Sequence, residues 1–350
     1  MDLTTFIIAA VIKIAIALFV LLTAVAYTVW VERKVVGHMQ NRWGPSRVGP
    51  FGLLQPLADG LKFILKEDLI PTGVYKPLYI AAPMLAVIFA LLSISVIPIG
   101  ETITVAGVRT PLQITGTTLP NGGAADINIG LLIILGVTSV GVYGVALAGW
   151  SSNSKYSLLG SLRASAQMVS YEIALGLSLV GVLIFSGSFS LREIVESQRG
   201  WHWNLWWHGQ FVAFFVYITA AFAETNRIPF DLPEAETELV AGYHTEYSAM
   251  KFAMFFMAEY ANMITVGCLA TILFLGGWDG PLFGPPLVRA LLPVVWFLLK
   301  VGAFIFLYIW IRGTLPRFRY DQLMAFGWKV LLPIAIANII VTSLIVGLTS

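Results

Sequence analysis

Between Glu224 and Glu246 the chain sets six carboxylates, Glu224, Asp231, Glu234, Glu236, Glu238 and Glu246, against a single basic residue, Arg227. The whole chain holds only 19 acidic residues and is 58% hydrophobic, so this concentration calls for a physical reason. Carboxylates crowded in a partly dry setting repel one another, and some of them then hold protons near neutral pH. Six acids against one arginine leave five negative charges within the segment, which protons or a basic partner must balance. A solvated acidic loop is the bland alternative. Ile228, Pro229, Phe230, Leu232 and Pro233, interleaved with the acids, are poor material for one.

A second set of ionisable residues lies inside apolar stretches, where charge is costly and usually faces a partner or a wet cavity. At the helical rise, Glu172, Glu259 and Lys300 fall roughly 15, 18 and 17 Å in from the ends of their stretches, a comparable depth that suggests a buried acid-acid-base chain. Ser165, Gln167, Ser170 and Tyr171 beside Glu172, and His244, Tyr247, Lys251, Tyr260 and Asn262 around Glu259, supply material for a hydrated proton path. A static ion pair between Lys300 and one glutamate is the competing reading. Two acids to one base favour the path.

The elements that must position these groups are membrane helices. Only 11% of the 350 residues are charged, which excludes a soluble globular chain and a disordered one. Apolar stretches of about 20 residues, enough to cross the hydrocarbon core, run near 5–30, 78–98, 127–150, 162–186, 205–223, 247–275, 288–311 and 325–347. The expected fold is therefore an all-α integral membrane protein of about eight transmembrane helices, a single membrane domain over 1–350 without internal repeats. Ala24, Val25 and Ala26 resemble a cleavage site, but the first stretch is too long for a signal peptide and opens on Asp2, so it reads as a retained span.

Leu54, Leu57, Ala58, Leu61, Ile64 and Leu65 recur at helical spacing in the first loop, opposite Gln55, Asp59, Lys62 and Lys66. This is a short amphipathic helix for the headgroup plane. Before it, Arg42 to Pro50 is rich in Gly-Pro pairs and forms a rigid loop. Periodicity alone leaves open whether the helix frames a lateral opening for a lipid-like ligand or simply packs on the bundle.

Fifteen Lys and Arg residues fall in the loops on the side of the acidic segment, against Arg109, Arg192, Arg199 and Arg289 on the other, with Lys13 and Lys300 inside spans. The positive-inside rule puts the acids in the cytoplasm and both termini outward. Tryptophans at or near span ends, such as Trp30, Trp150, Trp206, Trp207 and Trp278, suit interfacial anchoring. The lone Cys268 supports neither a disulfide framework nor an iron-sulfur centre. The four histidines lie in loops or at span ends, with no pair placed for haem, and neither a phosphate-cradling loop nor a dinucleotide fingerprint occurs. No cofactor is expected on this chain alone, so electrons would come from a partner.

Longer motifs then carry a resemblance. They are Glu32-Arg33-Lys34; Gly44-Pro45 through Gly52-Leu53-Leu54-Gln55-Pro56-Leu57-Ala58-Asp59; Ser161-Leu162-Arg163-Ala164-Ser165-Ala166-Gln167 with Ser170-Tyr171-Glu172; Ala223-Glu224-Thr225-Asn226-Arg227-Ile228-Pro229-Phe230-Asp231-Leu232-Pro233-Glu234; Glu246-Tyr247-Ser248 with Ala258-Glu259-Tyr260; and Pro316 to Met324. This set, through every cytoplasmic loop, closely resembles the H subunit (subunit 1) family of respiratory complex I, the proton-pumping NADH:quinone oxidoreductase. The resemblance implies a bacterial inner-membrane subunit, without a complete active site of its own, that lines a quinone chamber at the junction of membrane and hydrophilic arms. FMN and iron-sulfur clusters would sit in partner subunits, and small membrane subunits and antiporter-like subunits would adjoin it in the bilayer; no nucleic acid is implied. By motif, Glu32, Arg33, Arg47 and Asp59 would border the chamber and its entrance. Arg227, Asp231, Glu234, Glu236 and Glu238 would form the acidic loop beside the quinone, and Glu172, Glu224, Glu246 and Glu259 a proton or charge relay, to which the depth argument adds Lys300. The segment from Ser188 to His208 matches no motif. Similar subunits of membrane-bound hydrogenases and photosynthetic complexes are the near alternative. A stand-alone transporter is the distant one, weakened by the lack of repeats and of Gly/Pro-broken spans in corresponding halves.

Overall fold

The computed structural model describes residues 3–100, 102–105, 108–118, 124–125, 127–231 and 241–349. The helices are α1 (Leu3–Met39), α2 (Gln55–Leu65), α3 (Lys76–Ser95), α4 (Gly130–Ser151), α5 (Lys155–Ser186), α6 (Leu191–Ser197), α7 (Phe211–Glu224), α8 (Ala249–Phe274), α9 (Pro286–Thr314), α10 (Tyr320–Phe326) and α11 (Leu332–Thr349). A π turn at Gly327–Leu331 joins the last two into one rod. Among the described residues, seven helices are long and apolar enough to cross a membrane: α1, α3, α4, α5, α8, α9 and the α10–α11 rod. The expected loop between α3 and α4 adds two small antiparallel ribbons, β1 (Thr102–Val105) on β2 (Val108–Pro111) and β3 (Thr117–Thr118) on β4 (Ala124–Ala125).

Three expectations need adjustment. The span expected over 205–223 is the 14-residue helix α7, about 21 Å long and shorter than the hydrocarbon core. Asn204, Gly209 and Gln210 end the apolar pattern before it: Gly209 has φ 64°, while Asn204 donates to the Leu273 carbonyl at 2.7 Å and Gln210 to the Thr342 hydroxyl at 2.9 Å. Helix α1 runs on to Met39, so Glu32, Arg33 and Lys34 lie on its last turns rather than in a loop. Helix α5 begins at Lys155, which sets Glu172 about 26 Å from its start instead of 15.

Helix α8 is the axis of the bundle, with 78% of its most apolar window buried, against 17–44% for the other long helices. Small residues let its neighbours close in. A Cβ on Gly144 of α4 would sit 3.0 Å from the backbone nitrogen of Ala86 on α3. Outward faces of α1, α9 and α11 present Ile12, Phe19, Leu298, Leu299 and Leu344, the composition lipid requires. Between α1 and α2 the chain reverses at Gly52 (φ 76°), where a Cβ would fall 2.2 Å from the Pro45 carbonyl oxygen, so only glycine fits. The amphipathic helix α2 meets α1 through its polar edge, and Phe63 reaches Phe252 of α8 at 6.4 Å between centroids. Its apolar residues Leu57, Leu61, Ile64 and Leu65 stay exposed, as an interfacial helix facing acyl chains requires.

Candidate functional site

Helix α7 stops at Glu224, and Asn226 at φ 50° turns the chain back toward the bundle. Gln167 of α5 clamps the turn from inside, its amide donating to the carbonyls of Ala223 and Phe230, each at 2.8 Å. From the far side the Phe318 amide donates to the Pro229 carbonyl at 3.0 Å, and the Phe318 ring stacks on Phe230. Residues Arg227 and Asp231 are buried as a result. This half of the acidic segment is built into the protein rather than solvated.

The buried Arg227 guanidinium joins three elements. It lies 4.0 Å from the Glu32 carboxylate of α1 and 3.9 Å from the Glu259 carboxylate of α8, and 4.1 Å above the ring of Tyr260. Tyr260 donates its hydroxyl to Glu32 at 2.9 Å, and Tyr243 donates to Glu259 at 3.1 Å. Arg312, near the end of α9, pairs with Glu32, and Arg317 pairs with Asp231 at 3.2 Å. The balancing charge thus comes from the basic stretch after the seventh apolar segment. Glu32, Arg227, Asp231 and Glu259 are at low exposure while Arg312 and Arg317 stay about a third exposed, and pairing with hydrogen bonding offsets the cost of removing the inner charges from water.

Deeper in, Glu259 and Glu224 line one narrow cavity together with Thr138, Asn226, Tyr243 and Asn262. Its volume is about 30 Å³, space for about two waters between walls that mix these polar groups with apolar ones such as Phe89, Met168 and Phe255. Glu224 and Asn262 also line a smaller void that extends toward Thr265 and Tyr217. Glu172 of α5 acts electrostatically on Glu224 and accepts a hydrogen bond from Ser139 of α4.

At the rim, where α3 and α8 begin, Tyr79 and Tyr247 stack at 4.3 Å. The Tyr79 hydroxyl donates to the backbone carbonyl of Glu246 at 2.6 Å, and Lys251 pairs with Asp68 at 2.8 Å. Burial pushes the Tyr247 hydroxyl up to about 12 and the His244 ring, packed among Phe252, Phe255 and Phe256, down to about 3. Neither group changes charge near neutral pH.

A family model described as NADH dehydrogenase matches residues 12–343. The chain belongs to that family. It is 74% identical to an H subunit of NADH-quinone oxidoreductase from Koribacter versatilis, with 98% of each chain covered. It is 52% identical to an H subunit from Solibacter usitatus over 99% of each chain, and 54% identical to one from Geobacter sulfurreducens over 96% of this chain and 94% of that one.

Within this member of the family, the residues singled out from sequence fall into separate groups. Glu32, Arg227 and Glu259 form one cluster, and Glu259, Glu224 and Glu172 continue it inward. Arg33 and Asp59 form their own pair at 2.7 Å, tying α2 to α1, while Arg47 is exposed on the loop before α2. Glu246 sits at the rim beside Tyr79. Glu234, Glu236 and Glu238 lie outside the described residues. Lys300 is not brought to either buried glutamate: its ammonium donates to the carbonyls of Leu275, Gly277 and Asp279 at 2.6, 2.9 and 2.8 Å. Equal depth along two antiparallel helices did not mean adjacency, and neither the acid-acid-base chain nor the Lys300–Glu ion pair forms. Sequence reasoning assigned no role to Arg312, Arg317, Tyr243 or Ser139. The available signal was the basic run Arg312, Arg317 and Arg319, the counterpart of a segment short of positive charge.

Proposed function

We propose that this chain is the membrane subunit through which an NADH:quinone oxidoreductase couples quinone reduction to proton translocation. Membership of the NADH dehydrogenase family supports the assembly, and relatives named as H subunits support the position within it. The observation that carries the coupling role is the succession of carboxylates from Glu32 through Arg227 to Glu259, across the cavity to Glu224, and on to Glu172. The exposed apolar face of α2 and the rigid loop before it suit entry of a lipid-soluble quinone, with Arg33, Arg47 and Asp59 at the mouth and Arg227 and Asp231 at the inner end.

Partner subunits with FMN and iron-sulfur clusters would supply the electrons, and reduction of a quinone to quinol consumes two protons. Their removal beside Glu32 and Arg227 leaves that cluster more negative. Arg227, shared between two carboxylates, then shifts toward Glu32 and weakens its hold on Glu259, which favours a proton on Glu259. A change of one pKa unit corresponds to about 1.4 kcal/mol, so a few coupled carboxylates can carry a useful part of the redox energy. Glu259 faces Glu224 across a space fit for water, and Glu224 lies within electrostatic reach of Glu172, so the disturbance passes along the bilayer plane toward antiporter-like subunits. The proposed setting is the bacterial inner membrane, with the short α7 and the turn before it completing an eighth crossing and both termini outward.

The test is Glu224→Gln and Glu172→Gln in the assembled complex, with quinone reduction and proton uptake measured in sealed vesicles. The expected result is that each variant retains assembly and loses most of its pumping. Unchanged pumping in both variants removes these acids from the mechanism.

A further inference from the structure

The side of the molecule with few basic residues has Arg109, Arg192, Arg199 and Arg289 alone, and two of these meet at one cavity. Arg199, just beyond α6, and Arg289, in the first turn of α9, both line a space of about 240 Å³ with Asp279, Leu282, Pro293 and Val294. The wall is held firmly. Lys300 fixes the carbonyls of Leu275, Gly277 and Asp279, Trp296 donates to the Pro281 carbonyl at 3.1 Å, and the Asp279 carboxylate accepts from the Gly200 amide at 3.1 Å.

Among the described residues the charge here is positive. Arg199 and Arg289 stand against Asp279 on the lining, a net of plus one; the Lys300 ammonium behind the wall, on the Asp279 carbonyl, offsets Glu196, 3.8 Å from Arg199. The exposed Trp201, Trp206 and Trp207 on the neighbouring turn mark the level of the headgroups. Leu282, on the cavity wall, is 58% exposed, as is its neighbour Phe283, which gives the cavity an apolar edge.

We propose that this cavity binds an anionic phospholipid of the outward leaflet, its phosphodiester against Arg199 and Arg289 and the first carbons of an acyl chain along Leu282, Pro293 and Val294. Guanidinium groups match phosphate oxygens in shape and charge. A cation at the membrane surface favours an anionic headgroup over a neutral one, and two acting together give a preference of roughly tenfold or more. The lipid would brace the loop between α8 and α9 against the bilayer.

The test uses the full chain, purified in mild detergent with the subunits that accompany it, and photoactivatable phosphatidylglycerol or phosphatidylcholine, with labelled peptides mapped by mass spectrometry. The expected outcome is roughly tenfold heavier labelling of residues 278–294 by the anionic probe, displaced by excess phosphatidylglycerol and not by inorganic phosphate. That preference should vanish in the Arg199→Gln, Arg289→Gln double variant and persist when both are changed to lysine. Equal labelling by the two probes, or displacement by inorganic phosphate alone, overturns the proposal, as does a double variant that keeps the preference. If the double variant fails to accumulate, the competition on the unaltered chain decides by the same criteria.

Discussion

Arg227 stands between Glu32 and Glu259, 4.0 Å from one carboxylate and 3.9 Å from the other. It ties the end of α1 to the middle of α8 through a single buried guanidinium. Arg227→Ala takes a guanidinium away from both Glu32 and Glu259, and breaking a buried pair from one side costs about 3–5 kcal/mol. Arg227→Lys keeps the charge but cannot address two carboxylates with separate nitrogens. The expected order of thermal stability and of membrane-integrated protein is Arg, then Lys, then Ala. An alanine variant as stable as the parent would show that the guanidinium is not the tie.

Much of this arrangement was legible beforehand because hydropathy and charge counting act over long windows. The apolar stretches gave the membrane helices, and the periodicity of Leu57, Leu61 and Ile64 gave α2. Acidic crowding between Glu224 and Glu246 pointed to a site that needs balancing charge, and Arg227 and Asp231 are buried there. The misses at the site share one cause: counting along the chain says nothing of what other segments bring. Arg312 and Arg317 balance Glu32 and Asp231 from residues far along the sequence. Depth arithmetic for Lys300 missed that carbonyls at the end of α8 can take an ammonium as well as a carboxylate can. A cation at a helix C-terminus meets the negative end of the helix dipole.

His244 gives a pH signature. Its ordinary value of 6.5 falls to about 3 in the folded chain through burial, so the unfolded chain takes up the proton first. Stability from the neutral ring is fully present above about 6.5 and declines as pH falls toward about 3, at no more than about 1.4 kcal/mol per pH unit. His244→Phe, which suits the surrounding phenylalanines, should flatten the dependence of the melting temperature on pH within that window. If the slope is the same with and without the imidazole, His244 is not its source.

Gly160 of α5 and Gly176 one long stretch further on make a controlled pair. A Cβ at Gly160 would lie 2.7 Å from the Gly242 Cα, against backbone that has no side chain to move, whereas a Cβ at Gly176 would meet no atom within 4 Å. Gly160→Ala should therefore cost about 1–3 kcal/mol, the range for overpacking, and displace the turn that carries Tyr243 and His244. Gly176→Ala should be neutral or slightly stabilising, since alanine is the better helix former. Thermal unfolding of both variants in the same detergent checks the contrast, and equal effects would refute the close approach of α5 to that turn.

Lys300 separates a structural role from a relay role. Its ammonium holds three backbone carbonyls at the C-terminal end of α8 and lies 4.4 Å from the centroid of Trp203, with no bonded carboxylate from the Glu172, Glu224 and Glu259 group among the described residues. Lys300→Met keeps the length of the side chain and removes the donors. Each buried carbonyl left without one costs about 1–3 kcal/mol, so the variant should unfold at a clearly lower temperature. Protons moved per quinone reduced should stay at the parent ratio in the molecules that remain folded, because the carboxylate succession is intact. Glu172→Gln should do the reverse, lowering the ratio with little change in melting temperature. A fall in the ratio for Lys300→Met comparable to that for Glu172→Gln would place the lysine in the relay after all, through a rearrangement that brings its ammonium away from the end of α8.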